Sequence, residues 1–242
     1  DKQLVNLGTI TDKHPEIKTN AFDSVDMDSL LTAESQASIT DTVSYENLNP
    51  EQQYTITGTL MNKASGTALV DSEDREISAQ KTFTPPSANG SITLEFPFDA
   101  SALADDLDLV VFEKLTTGND IFVTAHEDAN DADQTVRVVK PNIKTGIQDE
   151  LDGDRVIVPS ESTTLTDTVS YSGLTVGRRY EVSGILVDKT TGRTLEVSGQ
   201  PVTASTSFVA HEPQGEAAVT FTFDSTGIAN KNEYVSFETL SR

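Results

Sequence analysis

Five residues in the first half of the chain have types that could do chemistry together: Thr19, Asp41, Glu113, His126 and Gln134. A threonine hydroxyl becomes a nucleophile when a base takes its proton, and histidine is a base near neutral pH. The carbon of a glutamine carboxamide is an electrophile once polarised. Attack by the Thr19 hydroxyl oxygen on that carbon would expel ammonia and leave an ester between two distant points of the chain. Asp41 and Glu113 are costly in an apolar interior unless they share a proton or find donors, and such pairs are commoner at reactive sites than in inert cores.

Strand periodicity is what would bring the five together. Side chains two apart in a strand share a face. Ile17, Thr19 and Ala21 form one face, opposed by Lys18 and Asn20; Ile39, Asp41, Val43 and Tyr45 form another. Leu109, Val111, Glu113 and Leu115 line a third, and Gln134, Val136 and Val138 a fourth. Each polar residue alone is explained as a hydrogen-bonded core member; together they describe a site. Strands are expected over 16–23, 39–45, 54–61, 81–84, 91–98, 109–115, 121–126 and 134–139, separated by turn signals such as Asn49-Pro50 and Asn89-Gly90. Short strands at this spacing predict an all-β, immunoglobulin-like β-sandwich.

The chain then repeats itself. SITDTVSYENL from Ser38 matches TLTDTVSYSGL from Thr164, and PEIKT from Pro15 matches PNIKT from Pro141, both at a shift of 126 positions. LEFPFD and VVFEKL recur as VTFTFD and VSFETL at a shift of 125. Two tandem domains are expected, over 11–140 and 141–242, with residues 1–10 as a leader or the tail of a preceding repeat. Thr145, Asp167 and Glu238 reproduce three members of the site in the second repeat. The stretch Ile121 to Val136 has no counterpart before Arg242, so the second repeat is expected to lack its last strand and its site to be incomplete. Its exposed edge would invite strand donation by another chain. His14 and His211 fall in loop positions and are read as solvent-facing.

Composition narrows the function classes. The 242 residues carry 39 acidic and 17 basic side chains, a formal charge of −22, which argues against nucleic acid or an anionic membrane as a partner. No apolar run is long enough to span a membrane, so no membrane insertion is expected of this stretch, and the N-terminus has no export signal, as an excised fragment would lack one. There is no cysteine, so a long β-rich chain must gain its robustness without disulfides.

The ordered pieces PEIKTNAFD, ITDTVSYENL, GTLMNKASG, VVFEKL and HEDANDADQTV resemble the Thr-Gln ester-bond domains of Gram-positive surface adhesins, the immunoglobulin-like stalk repeats of cell-wall-anchored proteins. The resemblance spans Pro15 to Val136. It implies Thr19 and Gln134 as the bonded pair and Asp41, Glu113 and His126 as the promoting residues. His126 would be the general base, with the two acids orienting it and polarising the amide. It implies a self-generated cross-link made once, not a turnover enzyme, in an extracellular stalk whose partners are neighbouring repeats of the same polypeptide. The host ligand is not legible.

Other readings compete. Glu127, Asp128, Asn130, Asp131 and Asp133 crowd one loop as calcium ligands would, but Ala132 and Asp133 break the EF-hand pattern. A Lys-Asn isopeptide bond through Lys18 is disfavoured because Lys18 faces away from Thr19. A turnover hydrolase would need a substrate pocket that five groups in a sandwich core do not leave, and no cofactor motif is present. A ligand- or calcium-binding adhesin sandwich without a cross-link is the remaining alternative. No metal and no cofactor are expected.

Overall fold

In the computed structural model, residues 13–228 and 232–242 are described, so the leader expected over 1–10 lies outside the described residues. All regular structure among them is β-strand, in two compact units that part between Val138 and Val139.

The first unit is built of β1 (Glu16–Asp23), β2 (Leu30–Thr32), β3 (Ala37–Glu46), β4 (Tyr54–Asn62), β5 (Thr67–Ala68), β6 (Ser78–Phe83), β7 (Gly90–Phe98), β8 (Leu107–Thr117), β9 (Phe122–His126) and β10 (Thr135–Val139). One sheet has the order β1-β3-β7 and the other β2-β10-β8-β4-β5, with β6 also on β4 and β9 also on β8. Both β9 and β10 pair antiparallel with β8, and they follow one another along a single edge of it. The period-two pattern does what it predicts: in β1 and β3 every second residue is buried. Ile39, Ile56, Leu60, Phe96 and Leu115 close the space between the sheets.

Gly58 fits this packing because it has no side chain. An added Cβ would lie 2.6 Å from the tip of the Phe96 ring. Gly58 is also the cross-strand neighbour of Glu113, so the ring lies beside the acid's own strand pair.

The second unit repeats the plan with β11 (Asn142–Asp149), β12 (Thr163–Ser172), β13 (Arg179–Asp188), β14 (Glu196–Val197), β15 (Gln200–Pro201), β16 (Thr203–Val209), β17 (Gln214–Phe223) and β18 (Tyr234–Ser241). Its sheets run β11-β12-β17 and β16-β13-β18, with β14 and β15 as a small ribbon. Gly184 lies against Phe221 as Gly58 does against Phe96, its added Cβ meeting the ring at 2.7 Å. Among the described residues no strand occupies the free edge of β18, the edge that β9 and β10 take on β8.

Candidate functional site

The two sheets of the first unit each bring part of the site to the shared interior. From the first sheet come Thr19 on β1 and Asp41 on the central strand β3. Thr19 pairs with Val43 and Ala21 with Asp41, so the hydroxyl and the carboxyl sit two residues apart along one buried face. From the second sheet come Glu113 on β8, His126 at the end of β9 and Gln134, which stands one residue before β10. Glu113 and His126 are direct cross-strand partners. Thr19 is 7% exposed, and Asp41, Glu113 and Gln134 are fully buried.

Backbone hydrogen bonds seat Gln134 between the sheets. Its carbonyl accepts from the Val111 amide at 3.2 Å, and the preceding carbonyl of Asp133 accepts from the Ala21 amide at 2.8 Å. β1 and the start of β10 are thereby held together within two residues of Thr19. The Gln134 side chain completes the junction: Nε2 donates to Thr19 Oγ1 at 2.6 Å and to Glu113 Oε2 at 2.6 Å. The nucleophile and the carboxamide are in contact, although they are 115 positions apart in sequence.

The acids are paired as well. Both oxygens of Asp41 and Oε1 of Glu113 have no donor of good geometry, and neither does Gln134 Oε1. No lysine or arginine is among the buried residues described. Facing carboxyls in that condition are satisfied by one shared proton. Burial pushes Glu113 up to about 10; the charge of Asp41 and a hydrogen bond with it add to this, against Thr19 and Gln134. Burial also raises Asp41, to about 6, while contact with Glu113, the Asn20 amide and the charge of His126 draw it back. The Asn20 amide lies near enough to lower it without reaching hydrogen-bond geometry. At neutral pH the pair shares one proton and carries one charge.

His126 is brought to the same interior, where its Nε2 lies 3.0 Å from Asp131 Oδ2. Asp131 is the residue the sequence reading left out of the reactive set. Its signal was the fixed spacing of His126, Asp128, Asp131 and Gln134 in the last motif. That loop's acids otherwise cap its own turns, with Asp128 Oδ1 accepting from Asn130 N and Asp131 Oδ1 from Asp133 N, each at 2.9 Å. Lys18, the isopeptide candidate, is exposed on the opposite face of β1.

The second unit assembles a partial copy. Asp167 is fully buried and accepts from the Gly146 amide at 2.8 Å and from the Ser236 hydroxyl. Glu238 is only half-buried and is raised to about 7, by burial first and then by Asp167, against Ser236 and Thr145. Thr145 is exposed. Beside it, between β11 and β18, runs a groove of about 920 Å³ lined by Thr145, Gly146, Ile147, Tyr234, Val235 and Ser236. It corresponds to the place that Gln134 and β10 fill in the first unit. His14 and His211 are exposed in loops and belong to neither site.

Fold and site together define a class: β-sandwich repeats in which the first strand meets the last through a threonine and a glutamine beside a carboxyl pair. The model of the T-Q ester bond containing domain matches residues 15–138 and again residues 141–242, and the chain belongs to that family, in two copies. No curated protein matches the chain. Among solved structures, it is similar to a bacterial adhesin from Mobiluncus mulieris that contains intramolecular disulfide, isopeptide and ester bond cross-links. In one crystal form the identity is 16% over 95% of this chain and 100% of that one, with a TM-score of 0.41. In a second form it is 15% over 93% and 76%, with a TM-score of 0.41. Among the described residues no helix is long and apolar enough to cross a membrane.

Proposed function

We propose that the chain is a structural stalk module of a bacterial surface adhesin, whose first repeat closes itself with an ester between Thr19 and Gln134. The observation that carries this reading is the 2.6 Å contact of Gln134 Nε2 with Thr19 Oγ1 inside a sealed core. His126 takes the hydroxyl proton, and the Thr19 oxygen attacks the Gln134 side-chain carbon. Glu113, protonated and in contact with the departing nitrogen, supplies the proton with which it leaves as ammonia. The proton that His126 gained then returns to the acid pair, so the site ends in its starting state, with one amide exchanged for one ester. Asp41 keeps its charge throughout and stabilises the protonated histidine. The reaction runs once per molecule and makes no enzyme of the chain.

The bond closes a loop of 115 residues. By analogy with disulfides, chain entropy gives roughly 4 to 5 kcal/mol of stabilisation where the native geometry is unstrained. It also joins the two sheets across the core, so a force applied along β1 and β10 loads covalent bonds instead of peeling strands, and a protease meets no frayed end. An ester exposed to water hydrolyses, and burial of both partners protects it. A cell-wall-anchored, extracellular stalk of a Gram-positive organism is where such a cross-link replaces disulfides. The second repeat, with its open groove, accepts a strand of the Ile121 to Val139 pattern from another chain.

Peptide mapping tests this reading. Digestion of the purified protein should yield one branched peptide that joins the Thr19 and Gln134 segments and is lighter than their sum by one ammonia. Recovery of both segments as separate linear peptides would refute it.

A further inference from the structure

The inner face of β10 meets the core, and its outer face meets two charged residues. Val136 and Val138 are buried in the core cluster, while Thr135 and Arg137 alternate with them on the other side of the strand. Lys63 Nζ donates to Thr135 Oγ1 at 3.3 Å, and Thr135 Oγ1 in turn donates to the Asp131 carbonyl at 2.7 Å. Arg137 stands directly opposite Asp108 on β8, with Nη1 3.3 Å from Asp108 Oδ1. Lys63 and Asp108 are themselves joined, because the Lys63 amide donates to the Asp108 carbonyl at 3.0 Å. The turn after β4 places the lysine: Asn62 Oδ1 accepts from Ala64 N at 3.0 Å and from Ser65 N at 3.3 Å.

The second unit holds the same pair on the wall of its open groove. Lys189 and Glu233 match Lys63 and Asp108 at shifts of 126 and 125, and the Lys189 amide donates to the Glu233 carbonyl at 2.8 Å. There the lysine Nζ donates to Glu233 Oε2, also at 2.8 Å. Two charges that each hold a residue of β10 in the first unit close on one another in the second.

We propose that Lys63 and Asp108 are positioning residues for ester formation: they set the register in which β10 docks, so that Gln134, and not a residue two places away, meets Thr19. The proposal rests on the cross-linking reading above. Core packing rejects a slip of one residue, which would turn Val136 and Val138 away from the interior. A slip of two keeps the alternation, and there the outer face discriminates. If Val136 took the place of Gln134, Arg137 would take that of Thr135 and set its guanidinium against the Lys63 ammonium. In the opposite slip Thr135 would face Asp108, and the ion pair would be forfeited. Arg137 and Asp108 are 55% and 40% exposed, so the contact adds little to stability and acts by making one register better than its neighbours.

The test follows ester formation by intact mass in full-length chain recovered unfolded and unlinked from inclusion bodies and refolded by dilution. Asp108→Lys sets a like charge opposite Arg137 and should slow linking about three- to tenfold, the size expected when an exposed charge pair turns from attraction to repulsion. Adding Arg137→Glu restores an opposite pair and should return the rate to within about twofold of wild type.

A second readout separates register from mere support. In a Thr19→Ala background, which cannot link, cross-strand nuclear Overhauser contacts should place Arg137 opposite Asp108 alone. With Lys63→Glu and Asp108→Lys together, a second population should appear with Arg137 opposite Val110. A purely structural role would weaken the fold and leave the register single. The proposal is overturned if Asp108→Lys links at the wild-type rate, if Arg137→Glu fails to rescue it, or if the doubly reversed protein keeps the native register alone. Where that double variant does not fold, the linking rates decide the matter. Wild-type chain that refolds without losing ammonia would overturn the cross-linking reading; wild-type chain that links, with the variants keeping pace, overturns this inference alone.

Discussion

The two repeats carry the same acids on the same strands, and they differ in one segment. In the first, β9 and β10 lie along β8 and deliver His126 and Gln134; in the second, the edge of β18 is open among the described residues. The consequences run through the whole unit. Thr19 is buried where Thr145 is exposed, and Glu113 is raised to about 10 where Glu238 reaches about 7. Even β2 depends on that segment: Leu31 is 1% exposed and its strand pairs with β10, whereas Ile157, at the matching place, is only partly buried between the exposed Val156 and Val158, and no strand forms there. The closing strand does not merely add a glutamine to a finished site. It deepens the burial of a carboxyl pair that the second unit holds as well, with Asp167 buried beside a half-exposed Glu238.

The comparison is broken most severely by removing either partner of the proposed bond. Thr19→Ala or Gln134→Ala should leave the fold of the first unit intact but lower its melting transition by on the order of 10–20 °C, with the second unit's transition unmoved. Differential scanning calorimetry on the tandem chain reads both at once. The converse is to complete the second unit. A peptide spanning Ile121 to Val139 should occupy its groove and form a covalent adduct that is lost with Thr145→Ala, read on a denaturing gel. An adduct that survives that substitution would show the wrong nucleophile.

Smaller effects sharpen the picture. Gly58→Ala forces a Cβ against Phe96, which is 1% exposed and cannot swing away; the cost should be about 1–3 kcal/mol. Gly184→Ala meets Phe221 in the same way, so chemical denaturation should show similar losses in the two units if the packing is independent of the cross-link. The smallest expected change is with pH, in the unlinked Thr19→Ala protein. Folded Asp41 and Glu113 titrate near 6 and 10, above their ordinary values of 3.8 and 4.5, so the folded state binds more protons. Their contribution is fullest below the unfolded values and is lost as pH rises through 6 and on toward 10. The first unit should therefore melt roughly a few degrees lower at pH 8 than at pH 5, measured against the second unit in the same scan.

Much of this was legible in the residues because a strand's period of two is hard to disguise. β1 was expected at its observed limits, and Asp41 and Glu113 announced themselves as acids in apolar stripes. The repeat shift marked Ile121 to Val136 as the stretch with no counterpart in the second repeat. What escaped had no periodic signal. β2 is three residues long, and it is a strand only because β10 lies beside it. Gln134 was expected to open the last strand and instead stands one residue ahead of it, its carbonyl on the Val111 amide and the preceding Asp133 carbonyl on the Ala21 amide. That β1 and β10 belong to opposite sheets is a matter of topology, which alternation cannot reveal. Asp131 was hidden among neighbouring acids whose density suggested a cation site, and only its distance to one ring nitrogen separates it from them.

The central claim, one ester in the first repeat and none in the second, is tested most directly by the intact mass of the purified chain under denaturing conditions. The account predicts a mass below that of the sequence by one ammonia, restored to the full value by Thr19→Ala and unaffected by Thr145→Ala. An unshifted wild-type mass, or a deficit of two ammonias, would contradict it.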